Sequence, residues 1–352
     1  MDPGKLPGLP QTEAFMRAVA FTRSLPADDP AALADITADT PEPGPHDLLV
    51  KVEAVSVNPV DTKVRRAGDS ATPRILGFDA AGTVAAVGSA VSLFKTGDAV
   101  FYAGSIIRPG SNSEFHLVDE RIVGHKPKSL DFTSAAALPL TSITAYELLF
   151  DRIGVKRGEG ADTRSLLVFG GAGGVGSMAI QLARALTGLT VIATASRPES
   201  TDWVRGLGAH HVIDHSKLLA PQLAALGIPE VDIILSLTGT AGHASVLPGI
   251  IAPEGRIGVI DDPGVFDVMP FKRKAVSIHW ESMFTRPIFG TPTLGEQNKL
   301  LNEVADLVDA GRLRSTLVQT LSPINAANLR EAHRLVESGR TIGKIVIAGW
   351  PG

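Results

Sequence analysis

The stretch Ser165 to Leu186, SLLVFGGAGGVGSMAIQLARAL, constrains the fold more than any other part of the chain. An apolar run, Leu166 to Phe169, leads into a turn carrying Gly170, Gly171, Gly173, Gly174 and Gly176. A helical pattern follows, with Met178, Ile180, Leu182, Ala183 and Leu186 as its apolar positions. Gly171, Gly173 and Gly176 fit G-x-G-x-x-G between a strand and a helix. In that setting the glycines serve a tight turn, close approach of backbone to a pyrophosphate, and close packing of helix on strand. The helix start offers free N–H groups to phosphate oxygens. A second strand, Leu189 to Ala195, lies at the right distance, so the stretch predicts a dinucleotide site that includes Gly171, Gly173, Gly174, Val175 and Gly176.

At 352 residues the chain is long for one core, and two domains are the natural expectation. A net charge of −4, with no basic run, argues against nucleic acid or an acidic membrane surface as partner. The longest uncharged stretch, Leu166 to Ala183, is broken by its glycines, Ser177 and Gln181, and reads as strand–turn–helix rather than a membrane span. The first residues, MDPGKLPGLPQTEAF, read as a loose segment, with Met16 as a second candidate start. They lack the pattern of an export signal, so a cytoplasmic protein is expected. Cysteine is absent, which excludes disulfides and any site built on cysteine ligands.

Along the chain, Arg17–Thr22 and Leu48–Val57 read as strands, separated by a proline-rich connection over Leu25–Pro45. Pro59 suits the first turn of a short helix. Ile75–Gly88, Gly97–Phe101, Ser113–Val118 and Arg121–Lys126 complete a β-rich, turn-rich first half. Ser134–Leu149 reads as helical apart from Pro139. From Leu166 short apolar strands alternate with helices up to Ile260, which predicts a parallel, doubly wound α/β sheet. Val276–Phe284 is expected as a further strand, Glu296–Ala310 and Leu329–Glu337 as helices, and Gly343–Ala348 as a closing strand.

This arrangement resembles the medium-chain dehydrogenase/reductase superfamily over nearly the whole chain, from about Met16 to Ile347. The resemblance is carried by Val57–Thr62 (VNPVDT), Gly77–Val84 (GFDAAGTV), Ala136–Pro139, Thr144–Tyr146, the glycine loop and Gly339–Val346 (GRTIGKIV). It implies an α/β protein with a GroES-like β-rich catalytic domain plus a doubly wound parallel Rossmann domain. The catalytic domain is expected over residues 1–146, with 296–352 returning to it, and the Rossmann dinucleotide-binding domain over 147–295. The chain looks like the zinc-free quinone oxidoreductase branch. Zinc-bearing relatives hold their metal with a cysteine, the histidine of Gly-His-Glu and a second cysteine. The matching positions here are Asn58, Phe78 and, less securely aligned, Leu140, and the structural-zinc lobe is absent. The resemblance therefore implies no metal ligand set.

NAD-binding relatives place an acidic residue about 20 positions past the loop to accept from the ribose 2′-OH. Counting on from Gly176 reaches Ala195, followed by Ser196 and Arg197. Loss of the acid removes repulsion of a 2′-phosphate, and Arg197 offers it a guanidinium, so NADPH is the expected cofactor. The bland alternative is a solvated loop arginine.

The resemblance places Asn58 and Thr144 beside the nicotinamide. Asn58 is either an amide donor to the acceptor oxygen or a turn-capping residue before Pro59. Thr144 holds the cofactor or bonds its own helix backbone. Lys63 stands where several relatives carry a substrate-facing tyrosine, and is either a proton donor or anion ligand, or an exposed lysine. Asp61 is expected to position Arg65 or backbone. Trp280, Met283 and Phe284 wall the acceptor pocket, pack a subunit interface or fill core. Lys344 approaches the cofactor by analogy. Together these imply NADPH-dependent, zinc-independent hydride transfer to a small quinone or α,β-unsaturated carbonyl, in a homodimer. The alternatives are an NADPH-binding protein with weak or lost catalysis, and a carbonyl reductase or lyase on the same fold.

Overall fold

The computed structural model describes residues 14–158 and 160–351. Most of the expected loose N-terminal segment lies outside them. The first half is a β-rich unit of β1 (Phe15–Phe21), β2 (Ala34–Asp39), β3 (Asp47–Ser56), α1 (Pro59–Arg66), β4 (Arg74–Ile75), β5 (Ala80–Val87), β6 (Ala99–Tyr102), β7 (Phe115–Asp119) and β8 (Val123–His125). Helices α2 (Phe132–Ala136) and α3 (Pro139–Tyr146) lead out of it. The central part alternates β9 (Ser165–Phe169), α4 (Gly174–Leu186), β10 (Thr190–Thr194), α5 (Pro198–Gly206), β11 (His211–Ile213), α6 (Leu219–Ala225), β12 (Val231–Ser236), α7 (Thr240–His243), α8 (Leu247–Ile250), β13 (Ile251–Val259), β14 (Ser277–Trp280) and α9 (Thr285–Phe289). The chain ends with α10 (Glu296–Asp309), β15 (Leu317–Leu321), α11 (Ala326–Glu337) and β16 (Lys344–Ala348).

The central strands form one parallel sheet in the order β11-β10-β9-β12-β13-β14. Strand order reverses around β9, which opens a crevice at the carboxyl ends of the strands. Leu166, Leu167 and Val168 of β9 are buried, as a strand covered on both faces requires. The other strands build a three-stranded sheet, β2-β1-β4, and a larger one in the order β15-β16-β3-β5-β6-β8, with β7 also on β3. Strand β16 is antiparallel to β3, so the end of the chain belongs to the β-rich unit.

Several expectations about elements are corrected. β2 lies inside the stretch read as connection; its ADITAD sequence pairs with β1 while leaving mostly exposed positions. β15 was absent from the sequence reading because its middle residues, Val318 to Thr320, are exposed and give no apolar signal. Ile75–Gly88 is two strands, since Gly77 at φ +109° breaks the run. Val276–Phe284 is strand only through Trp280; Met283 and Phe284 turn inward, and Phe284 meets Phe78 edge-on with ring centroids 5.3 Å apart. Pro139 divides the helical stretch as expected, heading α3.

Where α3, β14, α9 and α10 meet, a buried charged cluster ties them together. Arg286 bonds Glu147 at 2.7 Å, Arg152 bonds Glu281 at 2.7 Å, and Gln297 donates to Glu147 at 3.0 Å. The Glu281 Oε1 atom is buried without a partner among the described residues. Burial, then the neighbouring Glu147 charge, pushes the Glu281 carboxyl well above the usual range.

Candidate functional site

The glycine loop joins β9 to α4 at the crevice. Gly171 and Gly176 are there for packing: a Cβ on Gly171 stands 3.0 Å from the Ala193 Cβ, and one on Gly176 only 2.3 Å from the Gly170 carbonyl oxygen. Gly173, the N-cap of α4, is different, because a Cβ there meets nothing closer than the Gly170 oxygen at 3.4 Å. The space in front of it is open, directly at the N-terminus of a 13-residue helix, where backbone N–H groups await an anion. Val175 follows in the first turn, half-buried.

Past β10, a cavity of about 440 Å³ is lined by Ala195, Ser196, Arg197, Thr201, Arg205 and Asp214, among others. Ser196 is exposed and Arg197 half-buried. Arg197 heads α5, with Pro198 at the first helical position, and its backbone N–H bonds Ser200 Oγ at 3.2 Å. The guanidinium donates to the Arg340 carbonyl at 2.8 Å, which steadies it against the closing segment of the chain. Two guanidinium groups and a helix N-terminus therefore face the place where the sequence lacks the ribose-binding acid. Asp202 also lines the cavity, and Asp214 is engaged by Ser216 and Lys217. The open face of Gly173 and this polar cavity fit a dinucleotide laid along the crevice.

Between the β-rich unit and the loop lies a polar centre with almost no solvent access. Asn58 is 1% exposed, Asp79 0%, Asp61 1% and Lys344 4%. Asn58 caps α1, its backbone N–H bonding Asp61 Oδ2 at 2.8 Å. The other Asp61 oxygen accepts from Gly77 N–H at 3.1 Å, so Asp61 positions backbone, as one of the expectations held. It does not position Arg65, which bonds His333, Glu337 and the Leu25 carbonyl instead. Asn58 Nδ2 donates to Asp79 Oδ2 at 2.8 Å and, longer, to the Ser56 carbonyl at 3.4 Å. Asp79 Oδ1 accepts the Leu140 N–H at 2.7 Å, at the start of α3. Lys344 Nζ donates to the Val57 carbonyl at 2.9 Å and to Asn58 Oδ1, and lies 3.1 Å from Asp79 Oδ2. Burial pushes Asp61 up to about 7, outweighing its N–H donors and Lys344. It raises Asp79 in the same way against the pull of Lys344 and Asn58.

The structure thus brings Asn58 and Lys344 together and leaves the Asn58 amide fully engaged internally. Thr144 donates to the Leu140 carbonyl at 2.8 Å and is buried in α3, the geometry of a threonine bonding its own helix. Lys63 is on the exposed side of α1, paired at 2.6 Å with Asp262 just beyond β13. Trp280 is exposed at the end of the edge strand β14, while Met283 and Phe284 are buried.

Two groups escaped sequence reasoning. Asp79 is one, although its place in Gly77-Phe78-Asp79 was a usable signal. The other is a hydroxyl chain at the carboxyl edge of the sheet. Ser236 Oγ lies 2.6 Å from Thr240 Oγ1 and 2.8 Å from His243 Nε2, and the Thr240 N–H bonds Asp261 at 2.9 Å. His243 stacks on Phe169, the last residue of β9, at 4.1 Å. Burial lowers its pKa against the opposing pull of Asp261 and favours the neutral ring. This chain braces the segment whose Thr238 packs against Gly170. Ser236, Thr240 and His243 are near neighbours in the chain, and only Asp261 is brought to them by the pairing of β12 with β13.

The metal positions of zinc-bearing relatives can now be compared with the residues present. Asn58 and Leu140 are both bonded to Asp79, and Phe78 precedes it, so all three positions converge. They offer an amide already in use, an aromatic ring and an apolar side chain, and a lysine ammonium stands beside them. This donor set does not fit zinc. Among the described residues no group of three or more His, Cys, Asp or Glu side chains is placed to hold a metal ion.

Comparison with known proteins agrees with this architecture. A family model described as alcohol dehydrogenase GroES-like domain matches residues 44–128, and one described as zinc-binding dehydrogenase matches 207–347. A zinc-type alcohol dehydrogenase-like protein of Staphylococcus epidermidis is 38% identical over 334 residues, covering 94% of this chain and 99% of its own length. The NADPH-dependent alkenal/one oxidoreductase of Arabidopsis thaliana is 36% identical over 266 residues, covering 70% of this chain and 65% of its own. A solved Rhizobium etli CFN 42 structure, titled as of the zinc-dependent alcohol dehydrogenase kind, is 60% identical with a TM-score of 0.93, covering 96% of this chain and 99% of that one. The chain belongs to the medium-chain dehydrogenase/reductase superfamily, beside the zinc-type alcohol dehydrogenase-like proteins, and is an oxidoreductase of that family without the residues of its zinc site.

Proposed function

We propose that the protein is an NADPH-dependent reductase that delivers hydride to a quinone or an α,β-unsaturated carbonyl without a metal. The observation that carries this reading is the cavity beyond β10, where Arg197 and Arg205 take the place of a ribose-binding acid. The activities named for two relatives support the substrate class: the Arabidopsis alkenal/one oxidoreductase above, and a 2-methylene-furan-3-one reductase of Solanum lycopersicum, 30% identical over 320 residues. NADPH, when bound, supplies the hydride. Gly173 and the α4 N-terminus hold its diphosphate, and Arg197 with Ser196 its 2′-phosphate. A conjugated acceptor suits a site without a Lewis acid, because its negative charge spreads to an oxygen that needs only a hydrogen-bond donor and a proton. Lys63, exposed at the rim, is the residue proposed to meet that oxygen, exchanging Asp262 for it. Asn58 and Thr144 serve by shaping the wall, since their donors are engaged.

A cytoplasmic homodimer is the proposed state. Trp280 lies exposed on β14, the edge of the parallel sheet. Among the described residues no helix is long and apolar enough to cross a membrane. The internal engagement of Asn58 and Thr144 favours a second reading, an NADPH-binding protein with weak or lost catalysis. One experiment separates the two. NADPH carrying deuterium at the transferred position is incubated with a panel of quinones and enones, and products are analysed by mass. Deuterium in a product supports the reductase. Tight NADPH binding without label transfer supports the second reading.

A further inference from the structure

We infer that Lys344 is a positioning residue that sets the β-rich half of the molecule against the phosphate-binding turn. Its ammonium donates to the Val57 carbonyl and Asn58 Oδ1 and is ion-paired with Asp79 Oδ2 at 3.1 Å. Buried to 4% exposure among these three partners, the side chain acts through what it holds. Asn58 is the N-cap of α1. Asp79 holds the second residue of α3 through the Leu140 N–H. The lysine stem covers the first turn of α4: a Cβ on Gly174 stands 2.9 Å from Lys344 Cδ. One side chain therefore touches, directly or through a single carboxylate, the starts of three helices.

The backbone repeats the connection. Gly343 N–H donates to the Ala172 carbonyl at 2.8 Å, and Gly343 bridges Gly173 in parallel. Gly343 has φ +58°, and a Cβ there stands 2.3 Å from the Thr316 carbonyl oxygen, so β16 approaches the loop in a way only glycine permits. The loop that faces the anion is thus held on one side by its own sheet and on the other by the last strand of the other unit. A buried ammonium is costly unless paired; here its pairing fixes β16 against Val57, Asn58 and Asp79 within the β-rich unit, while its stem meets α4 of the other half.

The test uses Lys344→Met, which keeps the stem and removes the charge, and the double variant K344M/D79N, which also removes the stranded carboxylate. Lys344→Met is expected to lower the melting temperature, because Asp79 is left buried without its cation. The double variant is expected to recover most of that loss. Its amides over 171–178 are nevertheless expected to exchange about tenfold faster with deuterium, and its NADPH dissociation constant to rise about tenfold, because β16 and the stem that covers α4 are no longer anchored to Asn58 and Asp79. Wild-type exchange over the loop in the double variant overturns the inference, as does a double variant melting as low as K344M. Only the NADPH measurement rests on the proposed cofactor site. Faster exchange with unchanged NADPH affinity upholds the positioning role and counts against that cofactor reading.

Discussion

Lys63 Nζ and Asp262 Oδ2 meet at 2.6 Å across 199 residues of sequence, joining α1 of the β-rich unit to the loop after β13. Both side chains are more than half exposed, so the pair adds little to stability. Lys63→Met is expected to change folding free energy by less than about 1 kcal/mol while slowing reduction of the best acceptor, through kcat, by about tenfold. Chemical denaturation and steady-state kinetics check the two halves of this statement. Equal kcat in the variant sinks the proposed role of Lys63.

Arg197→Glu is expected to weaken NADPH by about tenfold to a hundredfold and to leave NADH binding nearly unchanged, as each tenfold corresponds to about 1.4 kcal/mol. Fluorescence titration with both dinucleotides measures it. Parallel loss for the two would mean that Arg197 acts on the fold or on the shared part of the cofactor.

The glycine loop separates packing from binding. Gly176→Ala puts a methyl into the Gly170 carbonyl and is expected to cost about 1–3 kcal/mol of stability. Gly173→Ala meets almost nothing and is expected to melt close to the wild type while losing NADPH affinity at least about tenfold. A Gly173→Ala protein with normal affinity would falsify the placement of the diphosphate.

The buried Glu147–Glu281 pair makes stability depend on pH. The Glu281 carboxyl is raised by burial above its unfolded value of 4.5, so the folded state holds a proton that the unfolded state has released. Its contribution is fully present below the unfolded value and is lost as pH climbs through the raised one. Glu281→Gln mimics the protonated form, and its melting temperature is expected to fall less than that of the wild type between about pH 5 and pH 9. Parallel curves for the two proteins would remove Glu281 as the cause.

Prolonged chelator treatment is expected to leave melting temperature and turnover unchanged, with no stoichiometric zinc by elemental analysis. Stoichiometric zinc lost together with activity would contradict the site as described around Asn58, Phe78 and Leu140.

The sequence was most informative where function imposes a local pattern. The Leu166–Phe169 strand, the glycines and the α4 helix are adjacent in the chain, so their order alone revealed the loop. The positions of Ala195 and Arg197, just past the end of β10, followed from the same adjacency by counting from Gly176. The polar centre was only half legible. Asn58 and Lys344 were each singled out, but nothing in their spacing says that 286 residues of chain close to place one against the other. Asp79 was passed over because its importance comes from bonding both Asn58 and Leu140. The Ser236–Thr240–His243–Asp261 chain was missed for a different reason: three of its members are close in sequence but fit no familiar motif, and the fourth, Asp261, reaches them only because β13 lies beside β12.

The pairing of β16 with β3 also sets a timetable. Ser56 waits for Ile345, which is 289 residues further along. At translation rates of about 5–20 residues per second, that is roughly 15–60 s on the ribosome. Through that interval Asp79 and Asn58 have been synthesised without Lys344, and the edge of β3 beside Ser56 lacks its final neighbour. The parallel sheet, complete by Trp280, is free to form earlier. The nascent β-rich half is therefore the part in which Asp79 lacks its cation and a sheet edge stays open, and the part on which a chaperone has most reason to act.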